Sequence, residues 1–336
     1  MDFNYLIITF FILLNFFFIF FFRNIKIFHT NIDQPDLKRK LHKKPIPLAG
    51  GIIIFVNILF YILFVFFNEN LLSKEIIFLD RYILITFFLA CSAIFFLGFL
   101  DDKLNISASK KFLITSILIL LILFFDKSLT INIVNLSFFE RNFSLSGFSI
   151  LFTCFCFLVF LNAFNMFDGI DLQSCFYSLI IFSSLLLFYI DMLIFKVFLI
   201  CLMGYGYLNY KNKSFLGDSG SLLLPFVIGY IFIKLYNINL INFCDEIVIY
   251  MLIPGLDLIR LFFKRILQKK NPLSPDRYHL HHLLIEKYSH LKTLLIMVFL
   301  ILIPIIFIQL NINKLLILII STSVYFIIIS NVTKKL

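Results

Sequence analysis

Tryptophan is absent from this 336-residue chain, and charge is scarce, with only 14% of residues being Asp, Glu, Lys or Arg. A soluble domain carries about 25% charged residues, so an ordinary water-soluble globule is excluded. Glycine is scarce too, at 11 residues, whereas Phe occurs 48 times. That balance reads as an AT-rich coding sequence filling lipid-facing positions with Phe and Ile, and the Phe stripes carry no functional weight. The six cysteines (Cys91, Cys154, Cys156, Cys175, Cys201 and Cys244) include no CxxC pair and no metal-ligand spacing. They read as small apolar filler. The first apolar run, residues 5–22, lacks a basic leading region and a small-residue cleavage site. It therefore reads as a retained first helix and not as a signal peptide.

What is present is apolar: 61% of the chain is hydrophobic. Crossing a hydrocarbon core roughly 30 Å thick takes about 20 apolar residues in a helix, and such runs fill most of the length. The expected fold is an all-α polytopic membrane protein with about eleven transmembrane helices, forming a single integral-membrane domain over residues 1–336. The spans fall near residues 4–22, 50–67, 82–100, 112–126, 148–161, 173–190, 193–208, 220–238, 244–263, 292–310 and 314–331. The short fifth span can extend into the polar motif that follows it.

Of the 29 Lys and Arg residues, 22 lie in loops 23–49, 101–111, 209–219 and 260–292 or in the C-terminal tail. Short loops rich in Lys and Arg stay in the cytoplasm. The N-terminus is then outside and the C-terminus cytoplasmic. The net charge of +10 is largely this topological signal. It points to the lipid bilayer as a partner and away from nucleic acid. The one long external segment, residues 130–147, alternates weakly and reads as a short β-hairpin.

Five polar clusters interrupt the apolar pattern, all on the expected cytoplasmic side. A transporter would place ionisable groups near the bilayer midplane. Carboxylates gathered at helix ends on one face suit an enzyme working at the membrane surface. The first cluster is "IDQPDLKRKLHKKPIPLAGG", residues 32–51, a basic loop for anionic lipid that runs through two prolines into a Gly-Gly helix start. In the second, "LGFLDDKLNISASKK", Asp101 and Asp102 end an apolar helix, and Lys111 closes the loop. Adjacent carboxylates stay ionised only with good solvation or a cation nearby, which fits a divalent metal or a general base.

The third cluster is "FLVFLNAFNMFDGIDL", with Asn162, Asn165, Asp168 and Asp171 three residues apart. Steps of three drift about 60° each on an α-helix, so a continuous helix would scatter them. The helix is expected to break near residues 167–169, gathering side chains and amides. The fourth, "SFLGDSGSLLLPFVIG", sets Asp218 in a Gly-rich helix start, where amides favour phosphate. An aspartate there repels that anion unless Mg²⁺ bridges them. The fifth, "PDRYHLHH", offers Arg277, His279, His281 and His282 for diphosphate binding, proton transfer or zinc, although HxHH without cysteine is weak for zinc. Taken together, the clusters point to phosphoryl transfer, where positioning and charge neutralisation do most of the catalysis.

In this order, "DD" with Lys111 nine residues on, "NAFNMFDGID", "GDSGS" and "PDRYHLHH" resemble the polyprenyl-phosphate N-acetylhexosamine-1-phosphate transferase family. The resemblance covers nearly the whole chain, including the "RKLHKKPIPLAGG" loop. "HLHH" is similar to the WecA/TagO-like branch, which transfers GlcNAc-1-phosphate to undecaprenyl phosphate, and unlike the MraY branch. The resemblance implies a UDP-sugar donor, an undecaprenyl phosphate acceptor, release of UMP, and Mg²⁺ as cofactor with Mn²⁺ as the alternative ion. It implies a multi-pass protein of the bacterial inner (cytoplasmic) membrane with a cytoplasm-facing site. It leaves open a homodimer, and direct displacement against a covalent intermediate.

Carried over residue by residue, Asp218 would ligate the metal, with Asn165 beside it. Asp101, Asp102, Lys111, His279, His281 and His282 would be catalytic, the two aspartates at the lipid phosphate and the histidines at the diphosphate or sugar. Asn162, Asn165, Asp168, Asp171 and Arg277 would bind the nucleotide sugar. Two departures stand out: Leu172-Gln173 replaces the family's usual glycine and its neighbour after Asp171, and Lys103 follows the paired aspartates where relatives often have Arg. Another UDP-N-acetyl sugar as donor is the nearer alternative. A transporter or lipid flippase is the distant one, resting mainly on Asp257 inside an apolar span with Pro254 and Gly255 expected to break its helix.

Overall fold

The computed structural model describes residues 3–35, 44–271 and 276–333. Among the described residues the chain forms fourteen α-helices. In chain order they are α1 (Phe3–Phe20), α2 (Gly50–Phe66), α3 (Glu69–Leu72), α4 (Arg81–Leu104), α5 (Ala108–Phe125), α6 (Ser149–Phe167) and α7 (Gln173–Phe188). Then follow α8 (Leu193–Tyr210), α9 (Gly217–Asn237), α10 (Cys244–Tyr250), α11 (Leu252–Leu267), α12 (Leu280–Lys287), α13 (His290–Gln309) and α14 (Lys314–Thr333). Four two-residue strands, β1 (Ile32–Asp33), β2 (Ile46–Pro47), β3 (Ile133–Val134) and β4 (Phe143–Ser144), pair antiparallel as β1–β2 and β3–β4. The second pair is the hairpin expected within residues 130–147.

Every apolar run read from the sequence falls on a helix, the ninth on two, α10 and α11. Among the described residues eight helices are long and apolar enough to cross a membrane, and α1 and α7 are shorter apolar helices. Large apolar side chains such as Leu113, Phe124 and Phe155 lie exposed on α5 and α6, as lipid-facing residues do. The protein is an all-α polytopic membrane protein. The break expected at Pro254 and Gly255 lies instead at Met251, between α10 and α11. Pro254 falls in the first turn of α11, where its missing N–H breaks no intrahelical bond.

Contacts divide the chain into two compact units, residues 1–106 with 174–227 and residues 107–173 with 228–336. In the first, α2 packs on α4 and α8, and α1 packs on α8. Asn15 of α1 and Asn57 of α2 exchange amide hydrogen bonds of 2.9 and 3.3 Å in the buried interior, a polar contact typical of small-residue helix packing in lipid. Buried Glu75, after α3, accepts the Tyr61 hydroxyl at 2.7 Å and the Leu193 amide, capping α8.

In the second unit, α6 packs on α5 and α11, and α12, α13 and α14 pack together. A buried ion pair, Lys234 Nζ to Asp126 at 2.8 Å, is completed by the Tyr230 hydroxyl at 2.9 Å. Helix α9 gives its N-terminal half to the first unit and its C-terminal half to the second. It is buried along nearly its whole length and, apart from Lys234, accordingly largely apolar on all sides beyond its first turn.

Candidate active site

The candidate residues of the first unit are carboxylates gathered at the start of α9. Helix α4 ends at Leu104 because Asn105 adopts the left-handed conformation (φ 50°) and returns its N–H to the Asp101 carbonyl at 2.8 Å. Buried Asp101 closes that turn, its Oδ1 accepting the Ile106 N–H at 2.7 Å. Asp102, about 100° further round the helix, turns elsewhere. Its two oxygens accept the N–H groups of Asp218 (2.6 Å) and Ser219 (3.1 Å).

Asp102 therefore caps α9 from a distant part of the chain. The amides expected to favour a phosphate are donated to a carboxylate, which meets the same need of orphan N–H groups at a positive helix end. Gly217 makes this approach possible. Its φ of +73° is a glycine conformation, and a Cβ there would lie 2.8 Å from Asp102 Oδ2. The first cluster is stitched to the same place. Gly50 and Gly51 donate to the carbonyls of Phe215 and Leu216, both at 3.0 Å, and Phe215 donates to the Pro47 carbonyl at 2.9 Å.

The Asp102 and Asp218 charges repel one another across this turn. Each Asp102 oxygen keeps a second lone pair beside its N–H bond. The donor set fits a hard divalent cation held by one or two carboxylates, with phosphate and water completing the shell. Among the described residues no three His, Cys, Asp or Glu side chains gather as a closed metal cage would need.

The second unit holds the carboxamide motif and the histidines. Helix α6 ends at Phe167, within the expected break, with Asp168 as the half-in residue that follows. Asn162 uses its amide on its own helix, donating to the Leu158 carbonyl at 2.7 Å. Asn165 lies on the last turn of α6, Asp171 in the turn beyond it, and Lys111 on the first turn of α5. A Cβ on Gly169 would sit 1.9 Å from His281 Nε2. The third and fifth clusters thus meet at a contact that tolerates no side chain. His281 Nε2 itself is buried without a hydrogen-bond partner among the described residues.

Leu172 occupies the left-handed region at φ 68°, the conformation glycine adopts without strain. The turn keeps a glycine-type backbone although the residue is leucine. Next to it, the Gln173 carboxamide is buried with neither its nitrogen nor its oxygen paired among the described residues.

The histidine segment is pinned to α11. Asp257 Oδ2 accepts His279 Nδ1–H at 2.7 Å, and Oδ1 accepts Arg260 Nη2–H (2.7 Å), the Tyr325 hydroxyl (2.7 Å) and the Leu280 N–H (3.1 Å). Arg260 also donates to the Tyr278 carbonyl at 2.6 Å and to the Tyr325 oxygen at 2.9 Å. Arg265 Nε donates to Asp276 at 2.7 Å, and Asp276 accepts the Tyr278 N–H at 2.8 Å. Lys264 lies over the Tyr278 ring at 3.5 Å. Burial opposes the charge on Asp276, but these hydrogen bonds outweigh it and lower its pKa. Arg277 is exposed.

The rings of His279 and His281 stack nearly parallel, with centroids 5.6 Å apart, and His282 lies 4.2 Å from His281. Burial drives His281 well below the usual imidazole range. Burial, with the charges of His279 and Arg277, holds His282 down to about 4. Both rings are neutral near pH 7 and offer hydrogen bonds, not charge. Sequence reasoning missed Arg260, Arg265 and Tyr325, and it read Asp257 as a transporter's acid. The available signal was the spacing of Asp257, Arg260, Lys264 and Arg265, which share one face of α11.

Residues 84–236 match the family model described as glycosyl transferase family 4. That span contains the first three carboxylate and carboxamide motifs but not the basic loop or the histidines. The chain is similar to the undecaprenyl-phosphate alpha-N-acetylglucosaminyl 1-phosphate transferase of Thermotoga maritima, with 29% identity over 270 residues, 80% of this chain and 77% of the relative. Relatives of the same name include that of Escherichia coli K12, 27% identical over 269 residues (76% and 69%), and that of Salmonella typhimurium, 26% over 283 residues (80% and 73%). Its motifs, in order on an all-α membrane fold, and the similarity to these relatives at modest identity support the polyprenyl-phosphate GlcNAc-1-phosphate transferase family.

Proposed function

We propose that this protein transfers a sugar-1-phosphate, GlcNAc-1-phosphate in the first instance, from a UDP-sugar to undecaprenyl phosphate and releases UMP. This is the initiating step of a lipid-linked cell-surface polysaccharide, carried out at the cytoplasmic face of a bacterial inner membrane. The observation that carries the reading is the placement of Asp102 and Asp218 together at the start of α9. The relatives' names supply the acceptor and the transferred group.

In this reading an oxygen of undecaprenyl phosphate attacks the β-phosphorus of the donor in line. The new P–O bond forms as the bond from that phosphorus to the bridging oxygen breaks, and UMP leaves with the bridging oxygen. Asp218, with Asp102 or Asn165, would hold Mg²⁺, which would supply charge neutralisation on the phosphates. A phosphate monoester is already anionic near neutral pH, so Asp101 or Asp102 orients and no strong base is required. Asn162, Asp168, Asp171 and Arg277 bind the nucleotide sugar. Neutral His281 and His282 and the Asp257-held His279 meet the diphosphate or sugar, and Lys111 contacts phosphate.

The transporter reading loses its support. A pumping acid must be open to a passing ion, and Asp257 is buried and engaged by Arg260, His279, Leu280 and Tyr325.

The test incubates purified protein with undecaprenyl phosphate, Mg²⁺ and a panel of UDP-sugars, and measures UMP. Release with UDP-GlcNAc is expected. Release from another donor alone overturns the sugar assignment, and no release from any donor sinks the enzyme reading.

A further inference from the structure

Within the second unit one carboxylate organises the whole histidine segment. Asp257 is buried, at 6% exposure, and is enclosed by protein donors: it accepts from His279, Arg260, Tyr325 and the Leu280 backbone. Of its partners, His279 is the one with a second functional atom to spare. Its Nδ1–H points at Asp257, and among the described residues its Nε2 has no hydrogen-bond partner. A carboxylate on Nδ1 fixes both the tautomer and the plane of an imidazole.

The carboxylate is itself held fast. Arg260 and Tyr325 grip Oδ1 and one another, and Arg260 also takes the Tyr278 carbonyl, one residue before His279. A histidine meant only to fill space needs none of this. Its ring would pack without a buried charge, and burying a carboxylate and a guanidinium costs desolvation that a packed apolar residue avoids.

We propose that Asp257 is a positioning residue for the transfer reaction: it holds His279 by Nδ1 so that Nε2 is presented, as a ready donor or acceptor, to the diphosphate of the sugar nucleotide. Asp257 touches no substrate. It acts through His279, and Arg260 and Tyr325 keep it in place. This rests on the transferase reading above.

The experiment is a double-mutant cycle on purified protein with undecaprenyl phosphate, Mg²⁺ and the donor that the panel identifies. Asp257→Asn keeps the shape but presents an amide to Nδ1, favouring the wrong tautomer. It is expected to lower kcat by roughly 10²-fold, within the range ascribed to a positioned acid–base group, with the KM for undecaprenyl phosphate unchanged. In a His279→Ala background the same substitution is expected to cost nothing further. Tyr325→Phe removes one bond to Asp257 and leaves the Nδ1 contact, so it lowers Tm with kcat within about threefold of wild type. An equal kcat loss from Asp257→Asn in both backgrounds, or a kcat that simply follows Tm across the three variants, overturns the proposal.

A second readout needs no turnover. Diethyl pyrocarbonate modification of His279, followed by mass spectrometry, is expected to slow in Asp257→Asn, because Nε2 then carries the proton. Loosened structure would speed it. An unchanged or faster rate overturns the proposal even if UMP release fails for every donor, an outcome that sinks the transferase reading separately.

Discussion

The two sets of candidate residues are assembled by opposite means. In the first unit a side chain captures backbone: Asp102 reaches the amides of Asp218 and Ser219 and fixes the start of α9. In the second unit a backbone segment is captured by side chains: α11 holds residues 276–280 through Asp257, Arg260 and Arg265. The first arrangement sets two carboxylates close together at a helix start, where their charges repel one another. The second neutralises its carboxylates completely and leaves imidazole nitrogens over. One set holds its carboxylate on backbone amides and the other pairs its carboxylates with cationic side chains and a histidine, although the same residue types build both.

The comparison breaks most sharply at Asp218. Asp218→Ala is expected to cut UMP formation by roughly 10³-fold, the scale of losing a charge-stabilising group at a reacting phosphate. Undiminished turnover of this variant in the presence of EDTA would remove the metal role. On the other side, Arg265→Ala leaves Asp276 without its partner. It is expected to destabilise the protein by about 2–3 kcal/mol, the scale of a charge-assisted hydrogen bond, read as a lower Tm in detergent. An unchanged Tm would show that α11 does not hold the segment.

Gly169→Ala forces the new methyl against His281 Nε2, at 1.9 Å in the unrelaxed geometry. Overpacking of this kind costs about 1–3 kcal/mol. Activity is expected to fall more than stability does, because His281 must move. Wild-type kinetics for this variant would show the contact to be idle.

Glu75 tests the first unit away from its carboxylate pair. Burial raises its pKa from 4.5 to about 7. The unfolded carboxyl loses its proton first as pH rises, so the folded state binds more protons in between, and stability falls with pH. The contribution is complete below pH 4.5 and lost through about pH 7. Glu75→Gln is expected to flatten the decline in Tm between pH 5 and 7.5, and an identical slope in both proteins would refute this. The smallest effect is expected at Leu172, whose left-handed backbone costs about 1 kcal/mol. Leu172→Gly removes that strain but adds freedom to the unfolded chain, so Tm should rise slightly or stay level. A clear fall would mean that the leucine side chain holds the turn.

Much of this was legible in the linear chain because lipid makes local demands. A helix must satisfy its own backbone in a bilayer, so each apolar run declared a helix, and the break after Phe167 followed from polar residues at helix-incompatible spacing with a glycine beyond them. The candidate aspartates and histidines stood out because charge at a helix mouth is costly without a purpose. The pairings were not legible. Nothing local says that Asp102 caps a helix beginning 115 residues later, or that Arg260 serves Tyr278 and Tyr325. The amides before α9 looked like a phosphate cradle because the competing acceptor lay far along the chain.

By itself, then, the sequence determined the class of protein, the helices and the inventory of reactive groups, since hydropathy and residue type act within a few turns. Tertiary structure alone decided which carboxylate takes the first amides of α9, which holds a histidine, and that Leu172 bends as a glycine would. Those outcomes depend on long-range contacts, where distance and burial settle which partner an acceptor takes.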